Sequence, residues 1–212
     1  MYRGSSSYAS GARTANRRHF EYGRTYVLVP APGNPSPAKW FDTGDLTEDG
    51  PDDADGMDAS AAHIANLLSS EPADVKLGIG GFSMGAATAL YSATCFAHGR
   101  YGNGTLYPIN LSAIIGLSGW LPCSRSLKMK VESSQEAARR AAFLPLLLCH
   151  GRADGVVPYR KGERSAETLR MSGFRNLTFK VYNALEHYTI PEEMDAVCKW
   201  LTARLRLDGS RS

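Results

Sequence analysis

The sequence predicts an α/β fold in which a mostly parallel sheet is flanked by helices. From residue 75 onward, β-prone runs alternate with helix-prone runs, which is the pattern of a parallel sheet with helical crossovers. Residues 143–149 form a continuous apolar run, typical of a parallel strand that is buried on both faces. The length of 212 residues and the hydrophobic content of 43% fit one globular domain.

The individual elements are predicted from hydrophobic period and from the residues that start and stop helices. An early strand covers residues 25–29, and an acidic stretch precedes a helix over 58–70. Capping boxes at Ser133-x-x-Glu136 and Thr189-x-x-Glu192 mark two helix starts. The other strands are predicted over 75–82, 112–117, 143–149 and 177–182, and the other helices over 84–98, 133–142, 161–171 and 189–205.

The N-terminal residues 1–18 are rich in Ser and Arg and contain no acidic residue, which predicts a flexible tail before a single domain over 19–212. The tail lacks the apolar centre of a secretion signal, and no run in the chain reaches membrane-spanning length. These features favour a cytoplasmic protein without an integral membrane segment, and they leave transient contact with a membrane surface open. Because no basic stripe interleaves with aromatic residues, no nucleic-acid partner is expected.

No metal ion or other cofactor is expected. The chain has 4 cysteines, which are widely spaced and form no C-x-x-C pair. The acidic segment around Asp53 and Asp55 fails the calcium-loop pattern, because its first ligand position would be Pro51 and its last Ala62. A solvated acidic loop before a helix explains this segment better.

The segment from Gly81 to Gly85 has the pattern G-x-S-x-G, with Ser83 at its centre. A predicted strand ends directly before it, and a predicted helix begins directly after it. This strand–turn–helix setting is the one that a nucleophile elbow requires, and it predicts Ser83 as the nucleophile of an α/β-hydrolase. Glycine on both sides allows the tight turn and lets the helix pack close to the strand.

Two phosphate-binding readings of the same glycines fail. A dinucleotide motif that starts at Gly78 would need its last glycine where Ser83 stands, and a P-loop that starts at Gly80 would need Lys where Ala86 stands. A nucleotide-binding α/β domain is therefore disfavoured. From this motif alone, a purely structural glycine-rich turn stays open.

A serine nucleophile needs a base and a residue that orients the base, in the chain order Ser, Asp or Glu, His for this fold. Asp154 follows the buried strand, and His187 lies in the loop between the last strand and the last helix. Both positions fall at strand ends, so they complete a predicted triad with Ser83. The alternative acids Asp195 and Glu186 do not follow strand ends.

Several stretches of the chain, among them those that contain these three residues, resemble a known family. The chain resembles the acyl-protein thioesterase/carboxylesterase family of the α/β-hydrolase superfamily, in its plant branch. The resemblance extends from residue 39 to residue 207 and is carried by residues 40–42, 80–87, 116–122, 150–158 and 187–194. It implies Ser83, Asp154 and His187 as the triad. It also implies ester or thioester substrates, among them S-acyl (palmitoyl) groups on protein cysteines.

The chain departs from the family pattern before Trp40. The family carries a His-Gly-x-Gly-type loop after its third strand, which supplies one oxyanion-hole N–H, and the residue after the nucleophile, here Met84, supplies the other. No such loop is present, so an early strand–loop–helix unit is predicted to be deleted and the second donor to be missing. The candidates to line an acyl pocket are Trp40, Phe41, Trp120 and Leu121, with ordinary core packing as the equal alternative.

The function expected from these features is hydrolysis of carboxylic esters or thioesters, on an acylated protein or a small ester. The shortened chain also leaves a second hypothesis. The protein is then an impaired or inactive family member that binds acylated ligands without turnover.

Overall fold

A six-stranded sheet forms the centre of the computed structural model, with the strands in the order β1-β2-β3-β4-β5-β6. The structure describes the backbone of residues 17–21 and 25–30, and the backbone and side chains of residues 52–206. The strands are β1 Arg17–Glu21, β2 Thr25–Pro30, β3 Lys76–Phe82, β4 Leu111–Leu117, β5 Leu146–Gly151 and β6 Leu177–Tyr182. Strands β2 to β6 pair in parallel, which confirms the predicted fold class.

The first strand pair contains an element that the sequence patterns did not indicate. Strand β1 pairs antiparallel with β2, and its first residue, Arg17, is opposite Pro30. Strand β1 thus begins inside the segment that was predicted to be a tail. Strand β2 pairs directly with β3, from Thr25 opposite Lys76 to Leu28 opposite Ile79. The nucleophile strand therefore has paired neighbours on both sides. The predicted deletion before Trp40 falls on residues outside the described ranges and stays a prediction.

Six helices cover the two faces of the described sheet. They are α1 Ala54–Leu68, α2 Met84–His98, α3 Leu127–Glu132, α4 Gln135–Phe143, α5 Tyr159–Met171 and α6 Pro191–Leu205. Buried side chains of α1 to α5 share one hydrophobic cluster, whereas Val197, Trp200 and Leu205 of α6 belong to a second cluster. Helices α1 to α5 thus pack on one face of the sheet and α6 on the other.

Successive side chains of β5 belong alternately to the two hydrophobic clusters. Leu146 and Leu148 belong to the first cluster, and Leu147 and Cys149 belong to the second. All four are buried, as expected for successive residues that point to opposite faces of a covered sheet. The prediction of a strand buried on both faces is confirmed for β5, although the strand begins at Leu146 and not at residue 143.

The predicted capping boxes are wrong at both helices. Helix α4 begins after Ser134, whose hydroxyl accepts a hydrogen bond from the Ala137 N–H at 3.1 Å. Ser133 instead ends α3, where its hydroxyl donates to the Lys130 carbonyl at 2.6 Å. Helix α6 begins at Pro191, which lacks an N–H and suits a first turn where N–H groups have no intrahelical acceptor.

Asp58 links three parts of the fold. Its side chain is buried on α1, and one carboxylate oxygen accepts from the Tyr91 hydroxyl at 2.5 Å and from the Gly102 N–H at 2.8 Å. The second oxygen accepts from the Asn103 N–H at 2.8 Å. The carboxylate thus joins α1, α2 and the loop after α2, and it satisfies two backbone donors that helices and strands leave unpaired.

We expect Asp58→Asn to lower the free energy of unfolding by about 1–3 kcal/mol, because an amide nitrogen cannot accept and leaves a buried donor unsatisfied. Urea unfolding followed by circular dichroism measures this change. Glu167→Gln on exposed α5 is the matched control, and it should change stability by less than about 0.5 kcal/mol. Equal stability of Asp58→Asn and the unmutated chain would contradict the structural role of this carboxylate.

Candidate active site

The turn between β3 and α2 holds Ser83 in a rare backbone conformation, with φ of 57° and ψ of −121°. A non-glycine residue at positive φ is strained, and such strain is found mainly at functional sites. A Cβ added at Gly81 would collide with the backbone of Gly85 and Ala86. The first glycine of the G-x-S-x-G pattern is thus required by the close approach of the helix to the strand.

The end of β4 is hydrogen-bonded to this turn. The Ser83 N–H donates to the Leu117 carbonyl at the end of β4, at 2.9 Å. Two residues later, a Cβ at Gly119 would collide with the Ala86 side chain and lie 3.0 Å from the Ser83 carbonyl oxygen. Gly119 therefore lets the chain after β4 pass directly against the elbow. No local sequence pattern indicates this supporting role of Gly119, although the glycine lies in a stretch that carries the family resemblance.

The three predicted triad residues meet at the carboxyl ends of β3, β5 and β6. The distance from His187 Nε2 to Ser83 Oγ is 3.0 Å, and the distance from His187 Nδ1 to Asp154 Oδ2 is 2.8 Å. A carboxylate only accepts, so Nδ1 carries the proton and Nε2 is free to accept the Ser83 hydroxyl proton. The imidazole also packs on the Phe82 ring, with ring centroids 4.7 Å apart.

Asp154 is buried and strongly hydrogen-bonded. Its Oδ1 accepts from the N–H groups of Val156 at 2.9 Å and Val157 at 2.8 Å, while Oδ2 accepts from His187. Burial raises the pKa of Asp154, but the hydrogen bonds from His187 and from the two backbone N–H groups outweigh it, so the net pKa is lowered. Asp154 is consequently ionised at neutral pH and places a negative charge beside the imidazole.

The alternative acids lie elsewhere. Glu186 and Asp195 are both exposed, and the hydrogen bond to His187 Nδ1 comes from Asp154. Asp154 is held in the loop after β5 by hydrogen bonds from the Val156 and Val157 N–H groups, whereas Asp195 is exposed on α6.

Comparisons with known proteins identify the family. The Phospholipase/Carboxylesterase family model matches residues 23–205. The chain belongs to this family. It is 30% identical over 176 residues to an acyl-protein thioesterase 1 of Gibberella zeae, a match that covers 78% of this chain and 68% of that relative. A probable carboxylesterase of Oryza sativa subsp. japonica is also 30% identical, with 79% of this chain and 58% of the relative covered.

A solved structure supports the same assignment. The crystal structure of Zea mays acyl-protein thioesterase 2 has a TM-score of 0.78 and 70% sequence identity, and the match covers 78% of this chain and 72% of that one. The chain thus spans about two thirds of the curated thioesterase relative and somewhat more of the maize structure. Membership of the Phospholipase/Carboxylesterase family makes the chain a hydrolase of the esterase type.

The substrate side of this family's site is only partly within the described residues. Met84 is the first residue of α2, where the backbone N–H has no intrahelical acceptor and the helix dipole favours negative charge. Trp120 and Leu121 are buried within the first hydrophobic cluster, and the Leu121 N–H donates to Ser165 Oγ at 2.8 Å. Trp40, Phe41 and the segment that would carry a second oxyanion donor lie outside the described residues.

Among residues 52–206, no group of three or more His, Cys, Asp or Glu side chains is arranged to hold a metal ion. In the same part of the chain, no helix is long and apolar enough to cross a membrane.

One buried acid lies in α6, the helix that follows the loop of His187. Glu193, in the first turn of α6, is fully buried, and within the described structure neither carboxylate oxygen has a hydrogen-bond partner. Burial raises its pKa from 4.5 to about 7, an effect that the nearby Ile190 N–H only partly offsets. The folded state thus holds a proton that the unfolded chain has released between pH 4.5 and about 7.

Because the folded state binds more protons in this window, we expect stability to fall as pH rises from about 4.5 to about 7. The shift corresponds to a loss on the order of 2–3 kcal/mol. Glu193→Gln should remove this slope and raise the melting temperature at pH 8, with little change at pH 4.5. Thermal unfolding across this pH range measures it, and Glu192→Gln, exposed in the same turn, is the matched control. An unchanged slope in Glu193→Gln would rule out the buried acid as its source.

Proposed function

We propose that the protein is a serine hydrolase that cleaves acyl thioesters and carboxylic esters, with S-acyl groups on protein cysteines among its substrates. In this proposal Ser83 is the nucleophile, His187 the base and Asp154 the orienting acid. The main support for this proposal is the continuous hydrogen-bond chain from Asp154 Oδ2 through His187 to Ser83 Oγ. Ser83 itself lies in the strained turn between β3 and α2. The thioesterase names of its relatives support the thioester substrate.

Acylation begins when Ser83 Oγ attacks the substrate carbonyl and its proton moves to His187 Nε2. The imidazolium that forms is stabilised by the ionised Asp154 through Nδ1–H. The tetrahedral intermediate collapses to a Ser83 ester and expels the leaving group. A cysteine thiolate leaves readily, because the thiol pKa is about 8.5, and it then takes the proton from His187 Nε2, which returns the imidazole to its neutral form. An alkoxide needs the proton from His187 Nε2 as it departs.

Deacylation repeats the same proton transfer with water. His187 Nε2 takes a proton from water, the resulting hydroxide attacks the Ser83 ester, and the proton returns to Ser83 Oγ as the carboxylic acid leaves. The imidazole is then neutral again, and no cofactor has been consumed. The atoms that move protons are therefore the same two in both half-reactions, His187 Nε2 and Ser83 Oγ.

Oxyanion stabilisation is assigned to the Met84 N–H. That N–H stands at the start of α2, directly after the nucleophile, where developing negative charge is favoured. The sequence predicts that a second donor is missing, and that loss would lower kcat by about 10²–10³-fold relative to a site with both donors. A slow but measurable turnover is the expected behaviour of this chain.

The second hypothesis, an inactive relative that binds acylated ligands, is not favoured by the comparisons. We place the active protein in the cytoplasm, acting on an acylated protein or a small ester. Side chains of Trp40, Phe41, Trp120 and Leu121 stay our candidates for contact with the acyl chain.

The full chain should be tested with a cysteine peptide carrying an S-acyl group and with the serine peptide carrying the same acyl group as an ester. A fluorophosphonate probe, mapped by mass spectrometry, should label Ser83. We expect release of free thiol, and faster cleavage of the thioester than of the ester. A folded protein that neither labels nor turns over either substrate would disprove the proposal. Labelling without turnover would support the binding-only alternative.

A further inference from the structure

His150 is a second histidine beside the triad acid. It lies in β5 and is only 1% exposed. Its Nε2 is 3.6 Å from Asp154 Oδ2, the oxygen that His187 also contacts. A distance of 3.6 Å is too long for a hydrogen bond. The mechanism above gives this buried ring no role, so its place next to the acid needs another explanation.

The hydrogen bond of His150 goes to the loop that follows Asp154. Its Nε2 is 2.9 Å from the Val157 carbonyl oxygen. A carbonyl only accepts, so Nε2 carries the proton. The other side of the ring is closed by α5, because a Cβ at Gly162 would collide with His150 Nδ1. The ring therefore has one orientation and one proton position.

Val157 is the point where this contact reaches the acid. Its carbonyl accepts from His150, and its N–H donates to Asp154 Oδ1 at 2.8 Å. The peptide group before Val157 is thus held by the Asp154 carboxylate, and the peptide group after Val157 is held by the His150 ring. Displacement of the Val157 carbonyl would move the N–H groups that set the direction of Oδ2 toward His187.

The charges around the ring agree with a neutral donor. Burial lowers the pKa of His150, and the Val157 carbonyl and Asp154 offset only part of this effect. The titratable groups that face it are Asp154, His187 and, edge to face at 6.2 Å, Tyr159 of α5. Because His150 is neutral, it does not compete with His187 for the negative charge of Asp154.

We propose that His150 is a positioning residue, which fixes the Asp154 carboxylate against His187 by donating its Nε2 proton to the Val157 carbonyl. The expected effect on kcat rests on the proposed function. The expected effect on the Asp154–His187 contact rests on the geometry alone.

A matched pair of variants tests the donor. The amide nitrogen of His150→Gln reaches the position of Nε2, whereas that of His150→Asn reaches only the position of Nδ1. We expect His150→Asn to lower kcat about 10–100-fold with KM nearly unchanged, as for a displaced catalytic group. His150→Gln should stay within about fivefold of the unmutated chain. Circular dichroism melts of both variants give the folded fraction at the assay temperature.

A second readout does not depend on turnover. The downfield proton NMR signal of His187 Nδ1–H, assigned by its loss in His187→Ala, should persist in His150→Gln and broaden or vanish in His150→Asn. A normal kcat and signal in folded His150→Asn would overturn the inference, and so would equal losses in both variants. If the unmutated chain is inactive but the signal follows this pattern, the proposed function fails while the positioning role stands.

Discussion

Ser83→Ala is expected to lower kcat for thioester hydrolysis by a factor on the order of 10⁶, because it removes the oxygen that forms the acyl-enzyme. His187→Ala should cause a loss of similar size, since the 3.0 Å contact from Nε2 to Ser83 Oγ is the path of the proton. Residues that act as one unit lose activity together, so the double variant should be no slower than either single one. Steady-state kinetics on the S-acyl peptide measure all three.

The control for this set is a serine that follows Leu117, the residue whose carbonyl accepts from the Ser83 N–H, and that lies outside the proton path. Ser118 is fully buried at the end of β4, and its N–H donates to the Cys149 carbonyl. Ser118→Ala should retain kcat within about tenfold, because its hydroxyl makes no hydrogen bond to a described residue. If Ser118→Ala lost as much activity as Ser83→Ala, Ser83 would not be distinguished as the nucleophile.

The triad could be predicted from the sequence because each member follows a strand end. Strand–turn–glycine signals are local, and the chain order of Ser, Asp and His is fixed for this fold. The structure places His187 within hydrogen-bond distance of both Ser83 and Asp154. A parallel sheet aligns the carboxyl ends of its strands, so residues far apart in sequence meet without any local pattern of their own.

Other features depend on pairings that sequence patterns do not carry. Strand β1 is polar and charged, and only its antiparallel pairing with β2 makes it a strand. The choice of Ser134 over Ser133 as the cap of α4 depends on where α3 ends. Glu193 has the position of an ordinary first-turn acid, and its burial follows from the way α6 packs on the sheet.

The pocket residues show a further limit of the sequence. Trp120 and Leu121 follow β4 in a stretch that carried the family resemblance, and both are buried in the core cluster. Large apolar side chains near a strand end suit a pocket wall and a core equally well, and composition does not separate the two uses. A contact with acyl chains can therefore be tested only with substrates of graded chain length.

Asp154→Asn is expected to lower kcat by about 10⁴-fold while the protein stays folded. Asn can keep the two backbone hydrogen bonds from Val156 and Val157 on its carbonyl oxygen. Its NH₂ group then faces His187 Nδ1, which must become the acceptor, so the proton moves to Nε2. An imidazole with Nε2 protonated cannot accept the Ser83 hydroxyl proton, and the loss falls on kcat.

Asp195, the exposed alternative acid, provides the matched control for Asp154→Asn. Asp195→Asn makes the same chemical substitution on the outer side of α6, and it should leave kcat within about twofold, as for a surface site. Loss in Asp195→Asn with normal activity in Asp154→Asn would assign the acid to α6 and contradict the 2.8 Å contact as the functional one. The reverse result would assign the acid to Asp154 and support its action on the tautomer of His187, because Asp154 contacts the imidazole.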